Sequence, residues 1–143
     1  MHNPTRMLPR QSNRTLGFCL GLAVCSIVAG CGGADNRPAR WSFIAPAIIE
    51  PNCATVSCHS AVAQRAGVIL DTRQTAYDTL TKRDFVVRCQ ADDTACLASA
   101  VADSEIITLM RGEGSQRMPP DFALPTPDIE LISTWITRGA PND

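Results

Sequence analysis

The sequence predicts an all-α domain of three to five short helices joined by long loops. Apolar residues recur at helical spacing in several segments, and capping residues precede most of these segments. One connection, residues 112–127, holds too many Gly and Pro residues for regular structure. The chain has 143 residues, a length that suggests one domain.

The first thirty residues differ from the rest of the chain. They hold three arginines and no acidic residue, and they end in an apolar run of 15 residues, Leu16–Gly30. Basic residues followed by an apolar run are typical of a secretory signal. The run is short for a membrane-spanning helix, which needs about 20 residues. We therefore expect residues 1–30 to be a signal peptide and the protein to be exported.

The apolar run ends in VAGC, and small residues before a cysteine resemble the lipobox of bacterial lipoproteins. The resemblance implies that Cys31 becomes the lipid-bearing first residue of the mature protein. Cys25 is a poorer candidate because Val24 is bulky, and a plain signal peptide is the alternative. Gly32, rather than Asp, follows the lipid-bearing residue. This favours the outer membrane, with the protein anchored at a periplasmic or surface face.

Residues 31–41 are expected to form a tether and residues 42–143 the folded domain. The tether is mostly polar and holds Gly and Pro but no apolar period. Removal of the signal takes three of the 13 basic residues and none of the 14 acidic ones, which leaves a net charge of −4. Such a surface does not favour nucleic acid as a partner.

Two helices are expected in the first half of the domain. The first covers residues 42–50, where apolar residues recur at helical spacing and Pro51 would end the helix. The second reaches Leu80 after a cap supplied by Asp71 or Thr72. The inward-facing residues of the two helices are expected to be Trp41, Ile44, Ile48, Ile49, Ala76, Tyr77 and Leu80.

Two more helices are expected in the second half. One covers residues 103–111 and is capped by Asp103 or Ser104. The last opens with Thr126 as its cap and Pro127 at its first helical position. The buried stripes of these helices are expected to be Ile106, Ile107, Met110, Leu131, Ile132, Trp135 and Ile136.

The expected mature domain keeps four cysteines, Cys53, Cys58, Cys89 and Cys96. Free thiols seldom persist in the oxidising compartments that exported proteins enter, so each cysteine should be bonded. The second pair lies in a polar segment, residues 82–97, which we interpret as a surface excursion closed by a disulfide. A redox-active role is disfavoured because the sequence indicates no helix N-terminus beside the pair.

The stretch CATVSCHS, Cys53–Ser60, places a histidine directly after the second of two cysteines. C-x-x-C-H is the signature of haem c attachment, and here the spacing is C-x4-C-H. Two extra residues can bulge outward without moving Cys58 and His59. His59 is the only histidine that follows residues 1–30, so it would be the proximal iron ligand. The alternative is a simple disulfide with an exposed histidine beside it.

Met118 is the candidate for a second iron ligand. It lies in a Gly- and Pro-rich loop, and Pro119 and Pro120 stiffen the chain directly after it. Histidine and methionine ligation raises the reduction potential of a haem, which suits electron transfer. Met110 is the competitor, but its helical spacing from Ile106 favours a place in the core.

The mature chain resembles the cytochrome c domains of the planctomycete type. Those domains have an apolar helix, a cysteine motif ending in C-H, a Gly-Leu-Asp-like segment, a short helix, M-P-P, and a final helix closing W-I-x-x-G-A. The same order is found here in Ile48–Ile49, Cys53–His59, Gly67–Asp71, Ala76–Leu80, Met118–Pro120 and Trp135–Ala140. The match covers roughly residues 43–141. The C-x4-C-H spacing and the insert around Cys89 and Cys96 depart from it.

The resemblance implies the cytochrome c fold around one covalent haem c, with Trp135 of the last helix facing the first helix. It implies thioether bonds from Cys53 and Cys58, and iron ligation by His59 and Met118. The expected function is that of a monohaem c-type cytochrome, which passes single electrons to a redox partner protein in the cell envelope. We expect no catalytic residue and no small-molecule substrate, because the iron has no open position.

Three alternatives remain from the residues alone. The protein could be a haem-free envelope lipoprotein, stapled by two disulfides, with an interaction or structural role. A zinc site could form from Cys53, Cys58, His59 and either Cys89 or Cys96, although thiols in an oxidising compartment disfavour it. A haem enzyme such as a peroxidase would need an open iron position.

Overall fold

Helices and the segments that connect them make up the part of the chain that the computed structural model describes, residues 35–112 and 116–143. No strand occurs among these residues, so the domain is all-α, as the sequence predicts. They belong to one compact unit, Ala34–Asp143. The predicted signal peptide and Cys31 lie outside the described residues. None of the described helices is long and apolar enough to cross a membrane.

Several short helices follow one another along the domain. In chain order they are α1 Trp41–Ile44, a π-helical segment Ala45–Ile49, α2 Glu50–Cys53, a 3₁₀ turn Arg65–Gly67, α3 Arg73–Lys82, α4 Thr94–Asp103, α5 Glu105–Arg111 and α6 Thr126–Thr137. The first three are continuous, and we call them together the first helix. The elements α3, α5 and α6 lie close to their predicted positions, whereas α4 was not predicted.

The first helix continues to Cys53, so the prediction that Pro51 would end it is wrong. In the π-helical segment the Glu50 N–H donates to the carbonyl of Ala45, one residue farther back than in an α-helix. Proline lacks an N–H, and its ring crowds the carbonyl four residues earlier. A wider turn before Pro51 relieves this crowding, and the helix therefore delivers Cys53 on its last turn.

The helix α3 has the cap and the buried face that the sequence predicts. Thr72 precedes the helix, and its Oγ1 accepts a hydrogen bond from the Thr75 N–H at 3.1 Å. Its buried residues are Ala76, Tyr77 and Leu80. This helix places Leu80 beside the cavity described below.

The helix α4 was missed because its apolar face, formed by Leu97, Ala100 and Val101, is narrow and little buried. Its sequence, TACLASAVAD, is made mostly of small residues, and only Ala100 is buried. Asp93 caps it, accepting a hydrogen bond from the Cys96 N–H at 3.0 Å. The predicted disulfide between Cys89 and Cys96 is confirmed, with 5.7 Å between the Cα atoms. The expectation that no helix N-terminus lies beside this pair is wrong.

Ser104 ties three parts of the chain together. It precedes α5, as predicted for a cap, but its hydroxyl does not cap that helix. The hydroxyl donates to the Ala100 carbonyl at 2.6 Å and accepts from the Val87 N–H at 3.0 Å. Because Ser104 is fully buried, these two bonds satisfy polar groups that water cannot reach.

Three aromatic rings form the centre of the core. Trp41 of the first helix stacks on Trp135 of α6, with the ring centroids 4.8 Å apart. Tyr77 packs against both, at 5.8 Å and 6.4 Å. The indole N–H of each tryptophan and the tyrosine hydroxyl donate to backbone carbonyls, all at 2.9 Å. The expectation that Trp135 faces the first helix is confirmed.

The chain on either side of the helical core is held against α6. Arg37 forms an ion pair with Asp128, and Ala39 packs on the core, so this part of the predicted tether contacts the folded domain. Gly139 follows α6 with φ +89°, and a Cβ there would lie 2.5 Å from the Cys89 carbonyl oxygen. Only glycine fits this close approach, which packs the disulfide segment against the end of α6.

Candidate cofactor site

A mostly apolar cavity of about 300 Å³ opens beside the first helix. Residues of the first helix, the cysteine motif, α5 and the loop before α6 line it. Its volume lies at the lower end of the range for small-molecule pockets, about 300–1,000 Å³. A mostly apolar wall with a few sulfur and nitrogen atoms suits a largely apolar ligand held at defined points.

The four residues predicted to hold a haem all line this cavity. Cys53, Cys58 and His59 come from one segment, and Met118 comes from the loop before α6. The sequence identified them through two separate motifs, and the structure brings the two motifs together. Cys89 and Cys96 are bonded to each other and are not among the residues that line it.

Cys53 and Cys58 are free thiols in different environments. Burial, and secondarily the nearby Cys58, raises the pKa of the Cys53 thiol to about 12. Hydrogen bonds from Thr55 and then Ser57 lower the pKa of Cys58, and the charge of Arg65 adds to this effect. Cys58 is therefore the more readily ionised and the more nucleophilic of the two.

The two extra residues of the C-x4-C-H motif bulge outward, as expected. The Cys58 N–H donates to the Thr55 carbonyl at 2.9 Å, and the His59 N–H donates to the Cys53 carbonyl at 3.1 Å. These bonds close the loop on itself and leave Val56 at its tip, 82% exposed. The longer spacing thus leaves both cysteines and the histidine at the cavity.

His59 is half-buried, and one nitrogen of its ring has no hydrogen-bond partner among the described residues. That nitrogen, Nδ1, is buried. A buried polar atom left unpaired costs roughly 1–3 kcal/mol. The backbone is fixed, because the His59 carbonyl accepts from the Leu70 N–H at 2.7 Å. A half-buried imidazole at a cavity wall, with its backbone fixed, fits a metal ligand better than an exposed neighbour of a disulfide.

The segment after the motif is strained and braced at the cavity edge. Gln64 and Ala66 have left-handed backbone conformations, with φ of 45° and 54°. Such conformations cost about 1–3 kcal/mol each and persist where surrounding contacts hold them. Arg65 Nε donates to the Ser57 carbonyl at 2.7 Å, and Arg83 donates to the Ala66 carbonyl at 3.0 Å. These contacts keep the wall in place.

Two methionines, not one, line the cavity. Met118 is 39% exposed and lies on an irregular loop, whereas Met110 is 3% exposed and belongs to α5. The prediction that Met110 is a core residue is confirmed, but its contact with the cavity was missed. The Met118 N–H donates to the carbonyl of Leu109 at 3.0 Å, which ties the loop of Met118 to the helix that carries Met110. The helical spacing of Met110 predicts burial but does not indicate that the residue lines the cavity.

The structure disfavours the alternative of a zinc site, because one of the four ligands that it requires is not free. It required Cys89 or Cys96, and their sulfurs are bonded to each other. Across residues 35–112 and 116–143, no group of three or more His, Cys, Asp or Glu residues is placed to hold a metal ion. A haem iron is held differently, by one His and one Met from the chain.

The residues at the cavity therefore fit a haem on three counts. Two free thiols, a partly buried imidazole with an unpaired nitrogen, and methionine thioethers share one apolar enclosure. In comparisons with protein-family models, curated proteins and solved structures, no match to this chain was found.

Proposed function

We propose that this protein is a monohaem c-type cytochrome that carries single electrons in the cell envelope. One observation carries the proposal: Cys53, Cys58, His59 and Met118 meet at a single apolar cavity, with both thiols free. A flat, largely apolar group bound through two thiols is the ligand that this set of residues suits best.

Each of the four residues has one role in this proposal. Cys53 and Cys58 hold the haem c through thioether bonds. His59 ligates the iron from the same segment, and Met118 ligates it from the loop before α6. The backbone bonds that fix Cys58 and His59 orient both before the cofactor arrives, which lowers the ordering cost of binding.

The all-α domain is, in this proposal, a small cytochrome c fold around one haem. Two features support it beside the resemblance of the sequence motifs. The first and last helices pack together through Trp41 and Trp135. The cysteine motif begins at Cys53, the last residue of the first helix, and the cavity lies where this helix ends.

A bound haem would supply reversible one-electron chemistry, and the surrounding residues would set its reduction potential. Most of the residues around the cavity are apolar, and a thioether ligand would raise the reduction potential. With both His59 and Met118 as its protein ligands, the iron would have no place for a substrate. The protein is therefore proposed to be an electron carrier, with a second protein as its redox partner, and not an enzyme.

The haem-free lipoprotein with two disulfides is the second candidate. It needs a bond between Cys53 and Cys58, whereas these two thiols are free in the described part of the chain and Cys89 is bonded to Cys96. That difference favours the cytochrome. The proposed location is the same for both candidates: residues 1–30 direct export, and lipid on Cys31 anchors the protein at a periplasmic or surface face, the outer membrane being favoured.

A reductive and oxidative titration of the purified full-length product tests the electron-carrier function. We expect a reversible change of haem absorbance that follows one electron, and a ferrous form that does not bind carbon monoxide. The Cys53→Ser/Cys58→Ser variant is the control and should show no such change. Wild-type protein that is colourless, or that binds carbon monoxide readily, would overturn the proposal.

A further inference from the structure

The loop that carries Met118 has an unusual shortage of backbone donors. Pro119 and Pro120 follow the methionine, and neither has an N–H. Counting only partners in residues 35–112 and 116–143, the backbone of Arg117–Phe122 donates one hydrogen bond, from Met118 to the Leu109 carbonyl at 3.0 Å. Among the described residues, no backbone N–H donates to the carbonyls of Pro119 and Pro120.

Arg117 supplies those donors from the residue directly before Met118. Its Nε donates to the Pro119 carbonyl and its Nη2 to the Pro120 carbonyl, both at 3.2 Å. The side chain thus reaches past Met118 and bonds the backbone on its far side. A guanidinium group suits this task because its planar array of donors can serve two adjacent acceptors at once.

The backbone of Gln116 and Arg117, in the same loop, packs closely against Gly112. A Cβ at this position would lie 3.0 Å from the Gln116 carbonyl oxygen and 3.3 Å from the Cα of Arg117. The loop backbone therefore lies directly on the end of α5, close to the Leu109 carbonyl that accepts from Met118. A Cβ at this position would therefore require the loop backbone to shift by a few tenths of an ångström.

We propose that Arg117 is the positioning residue for Met118. Its guanidinium holds the Pro119 and Pro120 carbonyls, and this fixes the direction in which the loop presents the methionine to the cavity. Arg117 thereby sets how readily the Met118 sulfur leaves the iron, without itself touching the cofactor. The inference rests on the proposed function, since it concerns a ligand of the proposed haem.

Three variants of the haem-loaded protein test this role. Arg117→Gln removes the forked donor and the charge, Arg117→Lys keeps the charge without the fork, and Arg111→Gln removes a charge at the exposed end of α5. The first readout is the rate of carbon monoxide binding to the ferrous protein. The second is the pH at which the ferric haem loses the absorbance band of its sulfur ligand.

We expect Arg117→Gln to bind carbon monoxide about tenfold faster or more, because two hydrogen bonds with a charged donor are lost. It should also lose the sulfur band at lower pH. Arg117→Lys should lie between this variant and the wild type, and Arg111→Gln should match the wild type. Thermal unfolding of all three shows whether stability alone accounts for the change.

Wild-type behaviour of Arg117→Gln in both readouts would overturn the inference and leave the proposed function intact. A wild-type protein without covalent haem would overturn both. Should Arg117→Gln not fold, Gly112→Ala provides an independent route, because it displaces the same loop without changing charge. Carbon monoxide binding at the wild-type rate in both Gly112→Ala and Arg117→Lys would then contradict the proposed role.

Discussion

The indole rings of Trp41 and Trp135 stack on each other with their centroids 4.8 Å apart. Both side chains are fully buried, and each N–H donates to a backbone carbonyl. Trp41 begins the helix that ends at Cys53, and Trp135 lies in the helix that closes the fold. The segment that carries the cysteine motif is thereby anchored in the core.

Replacement of Trp135 tests this anchor. Trp135→Ala should lower the free energy of unfolding by about 3–5 kcal/mol, because it leaves a large cavity against Trp41. Trp135→Phe should cost less, since a ring still stacks while the N–H bond is lost. Urea unfolding of each variant measures both values. Equal losses in the two variants would show that stacking contributes little.

The two methionines of the cavity should respond differently to truncation. Met118→Ala should lower the reduction potential and open the ferrous iron to carbon monoxide, because the proposed ligand is lost. Met110→Ala should change the potential much less, because Met110 is not the proposed ligand, but it should lower the free energy of unfolding by about 2–5 kcal/mol, because its side chain is buried in the core. Potentiometric titration and urea unfolding separate these effects. An unchanged potential in Met118→Ala would contradict its assignment as the ligand.

The two free thiols should differ in reactivity when no haem is attached. The thiolate is the reactive form, and the pKa of Cys53 is raised to about 12 by burial and by Cys58. The pKa of Cys58 is lowered by hydrogen bonds from Thr55 and Ser57. At about pH 8, iodoacetamide should therefore modify Cys58 well before Cys53. Raising the pH toward 12 should reduce the difference, because Cys53 then ionises too.

Peptide mass spectrometry follows the two alkylations separately, without reductant, so that the Cys89–Cys96 disulfide stays closed. Thr55→Ala is the matched control, because it removes the first hydrogen bond to Cys58. Its Cys58 should react more slowly, while Cys53 stays unchanged. Equal rates at Cys53 and Cys58 in the wild type would show that the two environments do not differ as described.

The second cysteine pair should stabilise the fold without taking part in the cofactor site. Its sulfurs close a short loop, with a sequence separation of 7. Cys89→Ser/Cys96→Ser should lower the free energy of unfolding by about 2–3 kcal/mol, on the chain-entropy model. Haem absorbance per chain should equal that of the wild type. Loss of haem from this variant alone would place the pair in the cofactor site.

Local signals in the sequence predicted most of the secondary structure. Thr72 indicated the start of α3 through its capping side chain. Pro127 indicated the start of α6, but the prediction of Thr126 as its cap is wrong, because Thr126 is the first helical residue and Pro125 occupies the cap position. The missed helix, α4, has small residues and a single buried one, so its stability depends on the Asp93 cap and the disulfide beside it. Pro51 was misjudged because the π-helical segment before it cannot be inferred from residue spacing.

The candidate site was predictable in its parts but not in its geometry. The residues of CATVSCHS and the methionine of MPP were found by motif alone. Their meeting at one cavity depends on contacts between segments far apart in the chain, such as the bond from Met118 to Leu109. For the same reason, no local pattern indicated that Met110 reaches the cavity or that Arg117 bonds the carbonyls beyond Met118.

Covalent attachment of haem to the cysteine motif is the central claim, and one measurement tests it directly. The full-length protein is exported by a host that matures haem c, then purified, denatured and digested with trypsin. The peptide between Arg40 and Arg65, which holds Cys53, Cys58 and His59, is isolated and weighed. We expect it to absorb visible light and to carry the added mass of one haem. A colourless peptide, lighter than its reduced sequence by the two hydrogens of a Cys53–Cys58 disulfide, would contradict the account.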